Sequence, residues 1–155
     1  MTTKNIKNQG FTLVELLIVI VIIAILTVVS LVAYNGLQNQ AKTSAAKSAA
    51  DAVAKKAELY NTAKSSYPDD LSKLTDPSDS GEPYYLDVKT VKAPASAFPA
   101  VGNPISPAPQ EANTIEYKVC GADKKGAHVK YYNFSTSKVE ERTIGTCPAA
   151  STPAP

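Results

Sequence analysis

The chain of 155 residues has no tryptophan, one methionine and one histidine. A single imidazole, His128, leaves no basis for a histidine-centred catalytic site or a multi-histidine metal site. No proline occurs before Pro68, so nothing upstream forbids a long uninterrupted helix. Cysteine is absent until Cys120 and recurs only at Cys147. An excess of one charge is also missing. Lys and Arg number 16 against 14 Asp and Glu, a formal +2, so bulk charge implies neither a nucleic acid nor an acidic partner. The length suits one domain with an appendage, not two cores.

What the chain does have is apolar mass at one end. Residues 1–10 are polar, with Lys4 and Lys7 their only charges. From Phe11 to Tyr34 the sole charge is Glu15, and every residue from Leu16 to Leu26 is apolar. As a helix, residues 11–33 would reach about 35 Å at 1.5 Å per residue, enough for a hydrocarbon core of about 30 Å. The lysines upstream predict a cytoplasmic N-terminus and an exported C-terminal domain. A signal peptide or a plain anchor is the competing reading. A secretory signal, however, has a shorter apolar run followed by its small-residue cleavage site, whereas here Gly10 precedes the run. A carboxylate at Glu15 costs about 3 kcal/mol within an apolar span unless it is paired. Residues 11–41 contain no Lys, Arg or His. A cut after Gly10 would create an α-amine on Phe11, on the same helix at i,i+4, and a neighbouring subunit's amine would serve as well. The alternative places Glu15 in the headgroup zone.

Gly10-Phe11-Thr12-Leu13-Val14-Glu15-Leu16 resembles the processing signature of type IV prepilins and pseudopilins, and the likeness runs through the apolar span to Ala33-Tyr34. Val32 and Ala24 depart from it, standing where many members have Pro and Gly. The resemblance implies cleavage after Gly10 by a membrane aspartyl peptidase and N-methylation of Phe11. It implies a role for Glu15 in assembly, and a platform protein and motor as assembly partners. Removing residues 1–10 takes Lys4 and Lys7 from the 16 basic residues, leaving 14 against 14 acidic ones.

Beyond Tyr34 the helix pattern changes character. Tyr34, Leu37, Ala41, Ala45, Ala49, Val53, Ala57 and Tyr60 form an apolar stripe, with Lys47, Asp51 and Lys55 at i,i+4 on another face. One helix is predicted from residue 11 to about 64, with Gly36 its weakest point. Ser65-Ser66-Tyr67-Pro68 stops it; a Tyr-Pro followed by Leu-x-x-Leu also resembles many pilins. Residues 69–74 read as a helical turn, 75–83 as turns and Tyr84–Val88 as a short strand. Residues 93–110 are a Pro/Ala/Ser-rich loop. Ile115, Tyr117 and Val119, then Val129 and Tyr131, alternate with polar or charged residues, and Lys138–Ile144 reads as a third strand. The segments are then a cytoplasmic leader (1–10), a transmembrane or filament-core half of the helix (11–34) and an amphipathic half (35–64). A globular β-sheet domain (65–147) and a disordered tail (148–155) follow. The fold class is α+β, pilin-like: a long N-terminal helix packed on a small antiparallel sheet.

In an exported domain Cys120 and Cys147 read as a disulfide, the alternative being free thiols or a metal pair. Asp69, Asp70, Asp76, Asp79 and Glu82 offer oxygen ligands of the type calcium takes, but without the spacing of the twelve-residue calcium loop; turn and cap carboxylates are the leading reading. Lys118, Lys124, Lys125 and Lys130, interleaved with Tyr117, Tyr131 and Tyr132, have the residue types of a DNA-touching patch, while edge protection is the leading reading. No cofactor, metal or catalytic residue is expected, and no nucleophile can be given a base and an orienting acid. The expected function is a structural subunit of a type IV pilus. The precursor would be stored in the inner membrane among lipid and then polymerised into an extracellular helical homo-oligomer. A pseudopilin or minor pilin of a secretion or DNA-uptake system is the rival within the family. An anchored binding domain that never polymerises is the rival outside it.

Overall fold

The computed structural model describes residues 10–147. The expected leader segment with Lys4 and Lys7, and the tail 148–155, lie outside the described residues. One helix, α1 (Leu13–Lys64), is followed by 3-10 turns at Leu71–Lys73 and Pro77–Asp79. Three strands complete the order: β1 (Ile115–Cys120), β2 (Gly126–Asn133) and β3 (Lys138–Gly145). This is the expected α+β, pilin-like arrangement of a long apolar N-terminal helix packed on a small antiparallel sheet. The chain divides into two compact units, one ending at Gln38 and one beginning at Asn39.

In the first unit α1 runs without a break through Gly36. Its apolar side chains are uncovered: between Val14 and Leu37 even the least exposed large one, Val21, keeps 47 % of its surface. Thr27 Oγ1 donates to Ile23 O at 2.7 Å, so the hydroxyl is satisfied within the helix. The helix is long and apolar enough to cross a bilayer.

The second unit is built on the C-terminal part of α1. Ala46, Ala49, Ala50, Val53, Ala54 and Ala57 are buried there. The expected stripe therefore holds at Ala49, Val53 and Ala57, with Tyr60 half-buried, but Tyr34, Leu37, Ala41 and Ala45 are exposed. Alanine says little about which side of a helix faces inward, because a methyl group gains little on burial either way. Ser65, at φ 59°, takes the left-handed conformation that ends the helix. Tyr67 and Pro68 are buried behind it, and Tyr67 N donates to Lys124 O at 2.9 Å.

The sheet order is β1-β2-β3, with Ile115 opposite Tyr131, Cys120 opposite Gly126 and Gly126 opposite Gly145. Since side chains alternate between faces, Ile115, Tyr117, Ala127, Val129, Tyr131 and Ile144 share one face, and all join the core with the helix alanines. Arg142 on that face pairs with Asp51 of α1. Lys118, Cys120, His128, Lys130, Tyr132, Val139, Glu141 and Thr143 share the other. The Pro-rich loop, free of regular structure as expected, is anchored to this sheet. Gly102 N donates to Val139 O at 2.9 Å, Val139 N donates to Asn103 O at 3.0 Å, and Phe98 N donates to the Glu116 carboxylate. The expected strand at Tyr84–Val88 is not formed. Tyr84 and Leu86 enter the core from turns, with Leu86 N bonded to Leu74 O at 2.7 Å and the Tyr84 ring edge-on to Tyr60 at 5.0 Å. Irregular backbone buries these two side chains without a strand ladder.

Candidate functional site

The proposed processing site begins at an open position. A side-chain carbon placed on Gly10 would meet nothing within 4 Å, and Phe11 is 91 % exposed. Helix α1 starts two residues later, and its first turn is closed by a reciprocal pair. Thr12 N and Thr12 Oγ1 donate to Glu15 Oε2 at 2.8 and 2.7 Å, and Glu15 N donates back to Thr12 Oγ1 at 3.2 Å. This is a capping box, in which a Thr and the Glu three residues on satisfy two otherwise orphaned helix-end donors. Residues 11–41 offer Glu15 no basic side chain, and in the intact chain it is the neutral Thr12 that engages the carboxylate. The signal of this box in the sequence is Thr-x-x-Glu ahead of an apolar run.

At the other end of the described chain, Cys120 and Cys147 form a disulfide with Cα atoms 5.5 Å apart. Two glycines make room for it. Gly145 has φ +65°, and a Cβ there would collide with Lys125 O. The chain leaving β3 thus turns back across Gly126, where a Cβ would lie 2.9 Å from Cys147 Sγ. Thr146 N donates to Lys125 O at 2.9 Å and pins the return. His128, the single imidazole, has partners: Nδ1 lies 2.8 Å from Glu141 Oε1 and 3.4 Å from Thr143 Oγ1. Sequence separation hid this pair, since only the β2–β3 register brings it together.

The lysine and tyrosine set does not gather into one surface. Tyr117 and Tyr131 are buried on the helix side of the sheet, opposite Lys118 and Lys130, and Tyr132 is buried on the other face. Lys124 pairs with Asp69 at 2.6 Å, and Lys130 lies 3.6 Å from Glu116. Two carboxylates of the acidic segment act as caps. Asp70 accepts from the hydroxyl and backbone N–H of Ser72, and Asp76 from those of Ser78. Those bonds hold both carboxyls below the ordinary aspartate range.

A polar hub that nothing local signalled joins helix and sheet. Asn133 is 9 % exposed. Its Oδ1 accepts from Ser135 N at 2.9 Å and Thr136 N at 3.1 Å, with Thr43 Oγ1 at 3.2 Å. Its Nδ2 donates to Glu140 Oε1 at 2.6 Å, while Tyr131 donates to Glu140 Oε2 at 2.6 Å. The bond from Tyr131, then that from Asn133, lowers the Glu140 carboxyl. Burial and the same bond raise the Tyr131 phenol to about 12.

Residues 5–31 match the family model of the prokaryotic N-terminal methylation motif, the type IV prepilin signature. The matched segment contains Gly10, Phe11, Thr12 and Glu15 and much of the apolar part of α1. Comparison with curated proteins and with solved structures gives no match. The motif marks a family of structural subunits that prepilin peptidase processes, and with the apolar helix it fits a membrane-anchored precursor.

Proposed function

We propose that this chain is the structural subunit of a type IV pilus. The observation that carries this is the methylation motif at residues 5–31 running directly into a helix whose apolar surface is uncovered. The precursor sits in the cytoplasmic membrane as a single-pass protein with its N-terminus inside. Cleavage after Gly10 frees the α-amine of Phe11, which is then N-methylated. The platform and motor lift the subunit from lipid into the growing filament. The step is physical rather than chemical. Apolar helix surface leaves hydrocarbon and packs against other helices, so close packing and specific polar contacts decide it, not the hydrophobic effect. Glu15 supplies such a contact by exchanging part of its hold on Thr12 for the new amine of a neighbouring subunit. The second unit, closed by the Cys120–Cys147 bond, forms the outer surface of the filament.

Electron microscopy and mass spectrometry of sheared surface filaments test this. The expected result is filaments dominated by this chain, beginning at N-methylated Phe11, and none from a Gly10→Val variant that keeps its leader. A processed chain present only in traces among filaments of another protein would assign it to the minor pilins or pseudopilins. Leader still attached in wild-type filaments would overturn the processing step. A chain that stays in the membrane, its behaviour unaffected by Gly10→Val, would be an anchored domain.

A further inference from the structure

We propose that the thiol form of this chain carries a metal site for a zinc-class ion, built from Cys120, Cys147 and His128 and mutually exclusive with the disulfide. The sheet register assembles it. Cys120 stands opposite Gly126, and one row further along the same face Lys118, His128 and Thr143 stand side by side. The turn at Gly145 returns Cys147 over Gly126, whose missing side chain leaves the space the sulfur occupies. As a result the two sulfurs and a ring nitrogen of His128 lie within 4.8 Å of one another.

Tetrahedral zinc takes thiolate at about 2.3 Å and imidazole at about 2.0 Å, which puts neighbouring donors roughly 3.5 Å apart. Side-chain rotations displacing the donors by about 1 Å supply that. Two thiolates and one imidazole are the donor types that select this class of ion, with water as the fourth ligand. Nδ1 of the imidazole lies 2.8 Å from Glu141 Oε1, and Thr143 Oγ1 lies 3.3 Å from the same oxygen, which leaves Nε2 as the nitrogen for the metal. A carboxylate on the far side of a ligating histidine is the usual outer support of a zinc site. With Nδ1 donating to Glu141, the lone pair lies on Nε2.

Zinc binding replaces two thiol protons, which leave to solvent. In the oxidised chain both sulfurs are consumed by their own bond, so the two states compete. Either one closes the same loop between β1 and the segment after β3. A metal-held form would therefore keep that segment in place in chains not yet oxidised.

The test uses the full chain in detergent micelles, reduced with a water-soluble phosphine. The phosphine gives two electrons to the S–S bond and takes oxygen from water as phosphine oxide, and each sulfur gains one of the water protons. Cobalt(II) is titrated in as a spectroscopic probe, then displaced by zinc. The expected result is one cobalt per chain, with thiolate-to-cobalt charge-transfer absorption and the visible bands of a tetrahedral ion. The oxidised chain should show neither. His128→Ala should weaken binding at least tenfold, and Glu141→Gln about tenfold. Zinc should also slow the return of the free thiols to the disulfide. Three results would each overturn the proposal. One is no charge-transfer band in reduced chain whose circular dichroism matches the oxidised form; another is equal binding by His128→Ala. The third is a fold lost on reduction that zinc fails to restore.

Discussion

Glu15→Val separates what the carboxylate does for the single chain from what it does between chains. In the single chain the structure gives it one task, the capping box with Thr12. Losing such a cap costs about 1 kcal/mol at the start of a helix that runs from Leu13 to Lys64. Removing the charge from the apolar span returns about 3 kcal/mol for residence in lipid. The net effect favours the membrane by about 2 kcal/mol, so the variant should be inserted and cleaved as usual. In the filament the balance reverses. The Phe11 amine would be enclosed among apolar helices without its counter-charge, and an uncompensated buried charge costs about 3–5 kcal/mol. That corresponds to at least a hundredfold loss in docking. Thr12→Val is the control: it removes the hydroxyl but leaves the carboxylate, so it should cost about 1 kcal/mol and only a few-fold in filament yield. Glu15→Asp, shorter by a methylene, should fall between wild type and Val. The assay compares membrane-fraction abundance, leader removal by mass spectrometry and the mass of sheared filaments. Normal filaments from Glu15→Val would remove the pairing role. Loss of that variant from the membrane would show that the carboxylate serves insertion, and a Thr12→Val defect of equal size would reduce Glu15 to a cap.

The β-sheet unit yields further expectations, each read in full-length chain in detergent. Asn133→Ala removes an amide that bonds Ser135 N, Thr136 N and Glu140, one of these bonds being charge-assisted. It should lower unfolding stability by about 3 kcal/mol in denaturant titration, and a loss below 1 kcal/mol would mean that water replaces the hub. Gly126→Ala would place a Cβ 2.7 Å from Ile144 O and 2.9 Å from Cys147 Sγ. It should cost about 1–3 kcal/mol and slow disulfide formation in refolding, whereas unchanged stability and oxidation rate would show that the turn can shift. The carboxyls of Glu140, Asp70 and Asp76 are lowered in the folded chain. Their bonds therefore stabilise fully above the unfolded carboxylate range of about pH 4 and are lost as pH falls through the folded values. Thermal stability should fall below about pH 4.5, and Glu140→Gln should flatten part of that decline; an identical acid profile in the variant would contradict the assignment.

Whatever depends on near neighbours was legible in the residues. An apolar run with no proline makes α1, Ser65-Ser66-Tyr67-Pro68 ends it, and period-two alternation marks β1 and β2. Each signal acts over a few residues, where backbone sterics and one-sided burial dominate. The capping box belongs to this class too, as Thr12 and Glu15 are three residues apart. Tertiary structure decided whatever depends on which surfaces meet. Ala46 rather than Ala45 faces the core because the sheet's position, not an alanine methyl, sets the helix's rotation. Tyr84 and Leu86 reach the core from turns because the described strands form their ladders without them. His128 meets Glu141, Asp51 meets Arg142 and Asn133 meets Thr43 only through strand register and helix docking. These contacts join residues far apart in the chain, and no pattern local to either partner records them.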